Sequence, residues 1–160
     1  MELIDNLIGV LKSEKDLYSD LYLLLQQEIS SIIKWDIENI NEINKKKNTY
    51  YCKEHLLDEA IKINLGKLKT ALNLNELNIE NLTDYIEDTD QKQALLSLRM
   101  QLLEIIEKTQ QESIKIKILY RNNIKIIDEF FCKIGITGNT TYTKNKKITP
   151  AGNYTFTRNI

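Results

Sequence analysis

Apolar positions recur every three or four residues along most of this chain, the rhythm by which a helix keeps one side turned toward its neighbours. The longest run lies toward the C-terminal end: Leu95, Leu98, Leu102, Ile105, Thr109, Glu112, Ile116, Leu119, Asn123, Ile126 and Phe130. This spacing predicts a long helix whose seam rests on other helices. No glycine or proline occurs between Gly66 and Gly135, so nothing in that stretch obliges the helix to break. Ile114, Ile116 and Ile118 alternate with lysines, which is locally a strand rhythm. The 3-4 spacing is in phase on both sides of them and no turn signal intervenes, so the reading there is still helix.

The same rhythm predicts a first helix from about Glu2 to Ile33. Its stripe is Leu3, Leu7, Val10 or Leu11, Leu17, Leu21, Leu24 and Ile32, interrupted by Glu14 and Glu28. Lys34-Trp35-Asp36 reads as a tight link, with Asp36 placed to cap the next helix by accepting from the N–H of Glu38 or Asn39. So short a link makes the two helices antiparallel neighbours. The second helix carries Ile37, Ile40, Ile43, Tyr50, Leu57, Ala60 or Ile61, Leu65 and Leu68, and ends between Gly66 and Leu72. After an asparagine-rich stretch, Asn78 caps a short third helix over Ile79 to Glu87, with Leu82, Tyr85 and Ile86 facing inward. Asp88-Thr89-Asp90 followed by Gln93 opens the last helix, which stops at Ile134 and Gly135.

At ~1.5 Å per residue a helix of about 45 residues is ~65 Å long, more than the width of a compact domain of this size. The expected fold is therefore all-α: an elongated antiparallel helical bundle, a coiled-coil-like rod of three long helices plus one short one, with a polar C-terminal tail. Residues 1–136 form the helical domain. Residues 137–160 are rich in Thr, Asn and Lys with isolated Tyr142, Tyr154 and Phe156, and read as a mobile tail or as a short hairpin or strand ordered on binding.

Composition sharpens the picture by exclusion. The chain has 22 Lys and Arg against 23 Asp and Glu, but four of those cations lie in residues 137–160, so the helical part is acidic. That is a poor footprint for nucleic acid. The longest apolar run is about five residues, Leu21 to Leu25, far below the ~20 a membrane span needs. No membrane insertion is expected. The start Met1-Glu2-Leu3-Ile4-Asp5 lacks a basic leader pattern, so a cytoplasmic location is expected. Cys52 and Cys132 share no motif and read as reduced, half-buried small hydrophobes.

Catalytic constellations are missing from the sequence. His55 is the lone histidine, with Cys52 rather than a glutamate three positions before it, so the paired motifs of a di-iron bundle are not available. Phosphate-cradling glycine loops and nucleophile elbows do not occur either. No catalytic residue, metal ligand or cofactor is expected, and the chain does not read as an enzyme. Polar stretches at Lys12–Asp16, Asn44–Thr49 and Glu107–Ser113 read as layers that fix register and antiparallel order, or else as a hinge.

The strongest binding hint is the end of the last helix. At ~100° per residue, Leu119, Ile126 and Phe130 fall on one edge while Tyr120, Ile124, Ile127, Phe131 and Ile134 fill the adjoining arc. This sector is wider than a two-helix seam needs. Either another helix of the chain covers it or a partner does, and a homo-oligomer is one such partner.

The order of these elements resembles the FlgN-type flagellar export chaperones: a long first helix, the Lys34-Trp35-Asp36-Ile37-Glu38 turn, a second Glu/Lys-rich helix, the Leu77-Asn78-Ile79-Glu80-Asn81-Leu82 element, a long last helix and a Tyr-containing tail. The resemblance runs from about residue 1 to 147. It implies a chaperone that escorts hook-filament junction proteins, the flagellar hook-associated proteins, to the type III export apparatus. It also implies that the C-terminal part holds an amphipathic helix from the client's own C-terminus, which carries over to Tyr120, Ile124, Ile127, Phe131 and Ile134. Two departures stand out. Gln110, Gln111 and Glu112 replace asparagines common in the family, and Asn145-Lys146-Lys147 replaces the glycine that often follows the tail tyrosine. The rival reading is a structural coiled-coil adaptor that self-assembles through the same face.

Overall fold

The computed structural model describes residues 2–134. Three long helices dominate: α1 (Glu2–Lys34), α2 (Ile37–Ala71) and, after the short α3 (Ile79–Leu82), α4 (Thr89–Lys133). Among the described residues there is no strand. The long helices run up, down and up. Pairings of Tyr18 with Glu54, Glu28 with Lys47 and Ser31 with Asn39 set α2 antiparallel to α1. Pairings of Asp5 with Gln91 and Glu28 with Tyr120 set α4 parallel to α1. α1 is the middle layer: α2 and α4 both pack along it rather than against each other.

The sequence explains this layering. α1 buries Leu7, Leu11, Leu21 and Leu24 together with Ile8, Tyr18 and Leu25, an arc broad enough to serve two neighbours. α2 buries only Ile40, Ile43, Ile61 and Leu68 fully, the narrower stripe of a helix with one neighbour. α4 buries Leu95, Leu98, Leu102, Ile106, Thr109, Glu112 and Ile116. Ile106, not Ile105, takes the fully buried place, and Ile105 is half-buried beside it. Through Ile114–Ile118 the helix is unbroken: Ile116 points in while Ile114 and Ile118 point out. A strand would have put all three on one face.

Two caps act as the sequence proposes, and the start signal before the last helix resolves into a third, at Asp88 and without Gln93. Asp36 accepts from the N–H of Asn39 at 3.0 Å. Asn78 and Asn81 form a reciprocal capping box, each side chain accepting the other's backbone N–H at 2.8 Å. Asp88 accepts from Asp90 and Gln91 at the start of α4. The short third helix differs from expectation. It ends at Leu82, passes through a 3-10 turn over Thr83–Tyr85, and Ile86 is extended. Leu82 and Ile86 are buried as expected, but Tyr85 is exposed, because leaving the helix after Leu82 rotates it off the inner side.

The stops of α1 and α2 each use a residue in the left-handed conformation. After α2, Asn73 has φ 52°, its N–H bonds the Thr70 carbonyl at 3.2 Å, and the Leu74 N–H bonds the Lys69 carbonyl at 3.1 Å. After α1, Trp35 has φ 57°, its N–H bonds the Ile32 carbonyl at 3.2 Å, and the Asp36 N–H bonds the Ser31 carbonyl at 3.0 Å. These are two Schellman motifs with the same wiring. Asparagine suits the position. A tryptophan there costs roughly 1–2 kcal/mol against its β-carbon.

Candidate functional site

Glu28 organises the upper half of the rod. It is fully buried on α1, where the sequence shows only a gap in an apolar stripe. Lys47 of α2 donates to both of its oxygens, at 2.8 and 2.7 Å, and the Tyr120 hydroxyl of α4 donates to one of them at 3.0 Å. One carboxylate thus joins all three long helices. Burial first, and then the Glu28 charge it faces, push the Tyr120 hydroxyl up to about 12. The partner of the Asn44–Thr49 stretch is therefore Glu28 and not Lys12–Asp16 as three aligned polar layers would require. Glu14 lies lower in the core and Tyr18 donates to Glu54 at 3.1 Å.

Above Tyr120 the helices part company. Lys34 ends α1 six residues beyond Glu28, whereas α4 runs thirteen residues beyond Tyr120 to Lys133. At ~1.5 Å per residue, α4 overhangs α1 by on the order of 10 Å. From Ile124 onward its side chains are exposed: Ile124 60 %, Ile126 57 %, Ile127 39 %, Phe130 58 %, Phe131 43 % and Ile134 49 %. These six fall within an arc of roughly 160°. The arc continues the side that Thr109, Glu112 and Ile116 turn toward α1, so it is the bundle seam prolonged past its partner. Phe130 and Phe131 meet edge to face with ring centres 6.0 Å apart.

Of the five residues singled out by sequence, Ile124, Ile127, Phe131 and Ile134 stand together on this strip. Tyr120 does not: it is half-buried and tied to Glu28 below the overhang. Sequence reasoning passed over Phe130 and Ile126 as edge positions and Trp35 as part of a plain link. Trp35 is 51 % exposed, between Ile33 and Ile37, which are also exposed. The signal was available, since helices commonly stop on a residue at positive φ and this tight link holds no glycine to take that place.

Elsewhere the surface offers little chemistry. An open groove of about 460 Å³ between α1 and α2 is lined by Leu17, Asp20, Tyr50, Lys53 and Leu56 among others. Among the described residues no three His, Cys, Asp or Glu side chains are grouped to hold a metal ion. Cys52 and Cys132 are free thiols and both are exposed, not half-buried, because each lies on the side of its helix turned from the core. No helix among the described residues is long and apolar enough to cross a membrane. Residues 137–160, expected to form a tail, lie outside the described residues.

The family model described as FlgN protein matches residues 1–150, most of the chain. The chain belongs to the FlgN family. That is the family of flagellar export chaperones, so its general role is in flagellum assembly and protein export. Comparison with curated proteins and with solved structures gives no match. The helical rod, with an end that outreaches its own core, is thus the form this FlgN family member takes.

Proposed function

We propose that this FlgN family chain is a cytoplasmic chaperone that captures hook-filament junction proteins on the overhanging end of α4, keeping them soluble and competent for export. The observation that carries this reading is the strip of six exposed apolar side chains prolonging the seam beyond α1. A helix seam without a partner is half of a helix-in-groove contact, and an amphipathic helix from the client's C-terminus supplies the other half. Each apolar side chain of this size gains roughly 1.5–3 kcal/mol on full burial, so a client covering the strip has ample driving force. Handing the client to the export apparatus then requires only that the helix peel away, with no chemistry at the site.

Ile127→Asp combined with Phe131→Asp tests it. Because both residues are exposed in the free protein, helicity by circular dichroism and the melting midpoint stay near wild type while capture of full-length junction proteins is lost. Retained binding, or unfolding of the variant, overturns the reading. The same strip, bare in a monomer, also suits the rival of a self-assembling coiled-coil adaptor. Sedimentation over a wide concentration range separates them: a tight oligomer that excludes junction proteins supports the adaptor.

A further inference from the structure

We propose that this chain forms a homodimer in which the outer face of α4 packs antiparallel against α4 of a second copy, leaving the overhanging strip of each copy free. α4 carries a second apolar row that the bundle does not use. Leu96, Met100, Leu103, Ile114 and Ile118 fall within roughly 60° of one another on the helical wheel, on the side turned from α1. Each is between 40 % and 72 % exposed. With the exposed Glu107 and Gln111 included, the spacing runs 4-3-4-4-3-4, which is the rhythm of a helix seam rather than of scattered surface residues. The row is about 23 residues long, or ~33 Å. Two helices touching over that length bury on the order of 1,200 Å², which is the lower end of what a stable specific interface needs.

Charge selects a second copy and its direction. In a parallel pair Glu107 meets Glu107 in the middle of the seam and Arg121 meets Arg121 at its end, so like charges are buried together. An antiparallel pair with its two-fold between Lys108 and Thr109 removes both clashes. Leu103 then faces Ile114 of the second copy, Met100 faces Ile118, Glu107 faces the neutral Gln111, and the stem of Arg121 lies along Leu96. On one edge Glu104 sits between Lys108 of its own chain and Lys115 of the copy; Glu104 and Lys115 are 65 % and 59 % exposed at their side chains. On the other edge Arg99 nears Lys117 of the copy, and Arg99 is already held by Glu80 of α3 at 3.3 Å.

The row and the overhanging strip lie on roughly opposite sides of α4, so the dimer stands or falls independently of what the strip captures. Antiparallel pairing sends the two strips to opposite ends of the assembly. Two clients can then be carried without meeting.

Sedimentation of the full chain from about 1 µM to about 200 µM is expected to show a reversible monomer–dimer equilibrium. Leu103→Glu with Ile114→Glu is expected to weaken dimerisation at least about a hundredfold, with helicity by circular dichroism and capture of junction proteins unchanged, since both side chains are exposed in the monomer. Met100→Ser with Ile118→Ser is the milder second variant and is expected to weaken it at least about tenfold. Disulfide trapping in a Cys52→Ser, Cys132→Ser background reads the direction. A mixture of Leu103→Cys and Ile114→Cys chains is expected to cross-link, whereas either alone does not, because equal positions then lie ~16 Å apart along the seam, beyond the ~7 Å a disulfide allows. A wild type that stays monomeric throughout the range overturns the dimer. So does dimerisation untouched by both row variants, or dimerisation abolished by Ile127→Asp with Phe131→Asp, which makes the strip the interface. Cross-linking of either cysteine variant alone overturns the antiparallel arrangement. Loss of junction-protein capture by Leu103→Glu with Ile114→Glu, with helicity intact, assigns the row to a client instead.

Discussion

The lower and upper parts of α4 carry the same apolar rhythm and meet opposite fates. From Leu95 to Ile116 the seam is buried against α1; from Ile124 to Ile134 it is bare. The upper stretch exchanges leucine for isoleucine and phenylalanine, but both keep apolar residues on the same side of the helix. What separates their fates is length: α1 stops at Lys34, and the α1–α2 link then turns the chain away. Exposure of an apolar face here is a matter of where a neighbouring helix ends, and Glu28 marks the last level at which all three helices are joined.

That contrast can be broken or sharpened by substitution. Glu28→Ala strands Lys47 and Tyr120 beside a buried gap, and is expected to cost about 3–4 kcal/mol in urea unfolding. Leu102→Ala, at a site only 1 % exposed, should cost about 3 kcal/mol by the same measurement. The clasp should also show in pH. The folded Tyr120 hydroxyl sits above its ordinary value of 10.0, at about 12, so its contribution is intact below about pH 10 and is lost as pH rises toward about 12. Tyr18 is raised by burial and by Glu54, and adds to the loss in the same direction. Urea midpoints taken across that window should fall, and Tyr120→Phe should make the fall shallower. Trp35→Gly relieves its backbone and should stabilise by about 1 kcal/mol. Phe130→Ala on the overhang is expected to change stability by less than about 0.5 kcal/mol; a cost like that of Leu102→Ala would mean the strip is core.

Most of the fold was legible because its signals are local. Caps at Asp36, Asn78 and Asp88 and the 3-4 spacing act within a turn or two, so helix bounds came within a residue or two. The short third helix was overextended because Thr83–Tyr85 shares helical composition while its geometry is set by docking Leu82 and Ile86. The site was legible only in part. Sequence shows that an apolar arc is too wide but not where α1 stops relative to it, which is why Tyr120 was grouped with residues that stand clear of the bundle. Glu28 looked like a flaw in a stripe because its two partners lie on other helices, 19 and 92 positions away.

The central place of α1 also orders events in time. Its pairing with α2 is made across a short turn, whereas its pairing with α4 joins residues as far apart as Asp5 and Gln91. Loop closure favours the near contact, so the first two helices zip as a hairpin while the last is still being synthesised or searching. For that interval α1 shows one finished side and one raw side, and the third long helix arrives as a late strut. Amide exchange should retain this history, with α4 able to lift away as a unit while the hairpin beneath it holds.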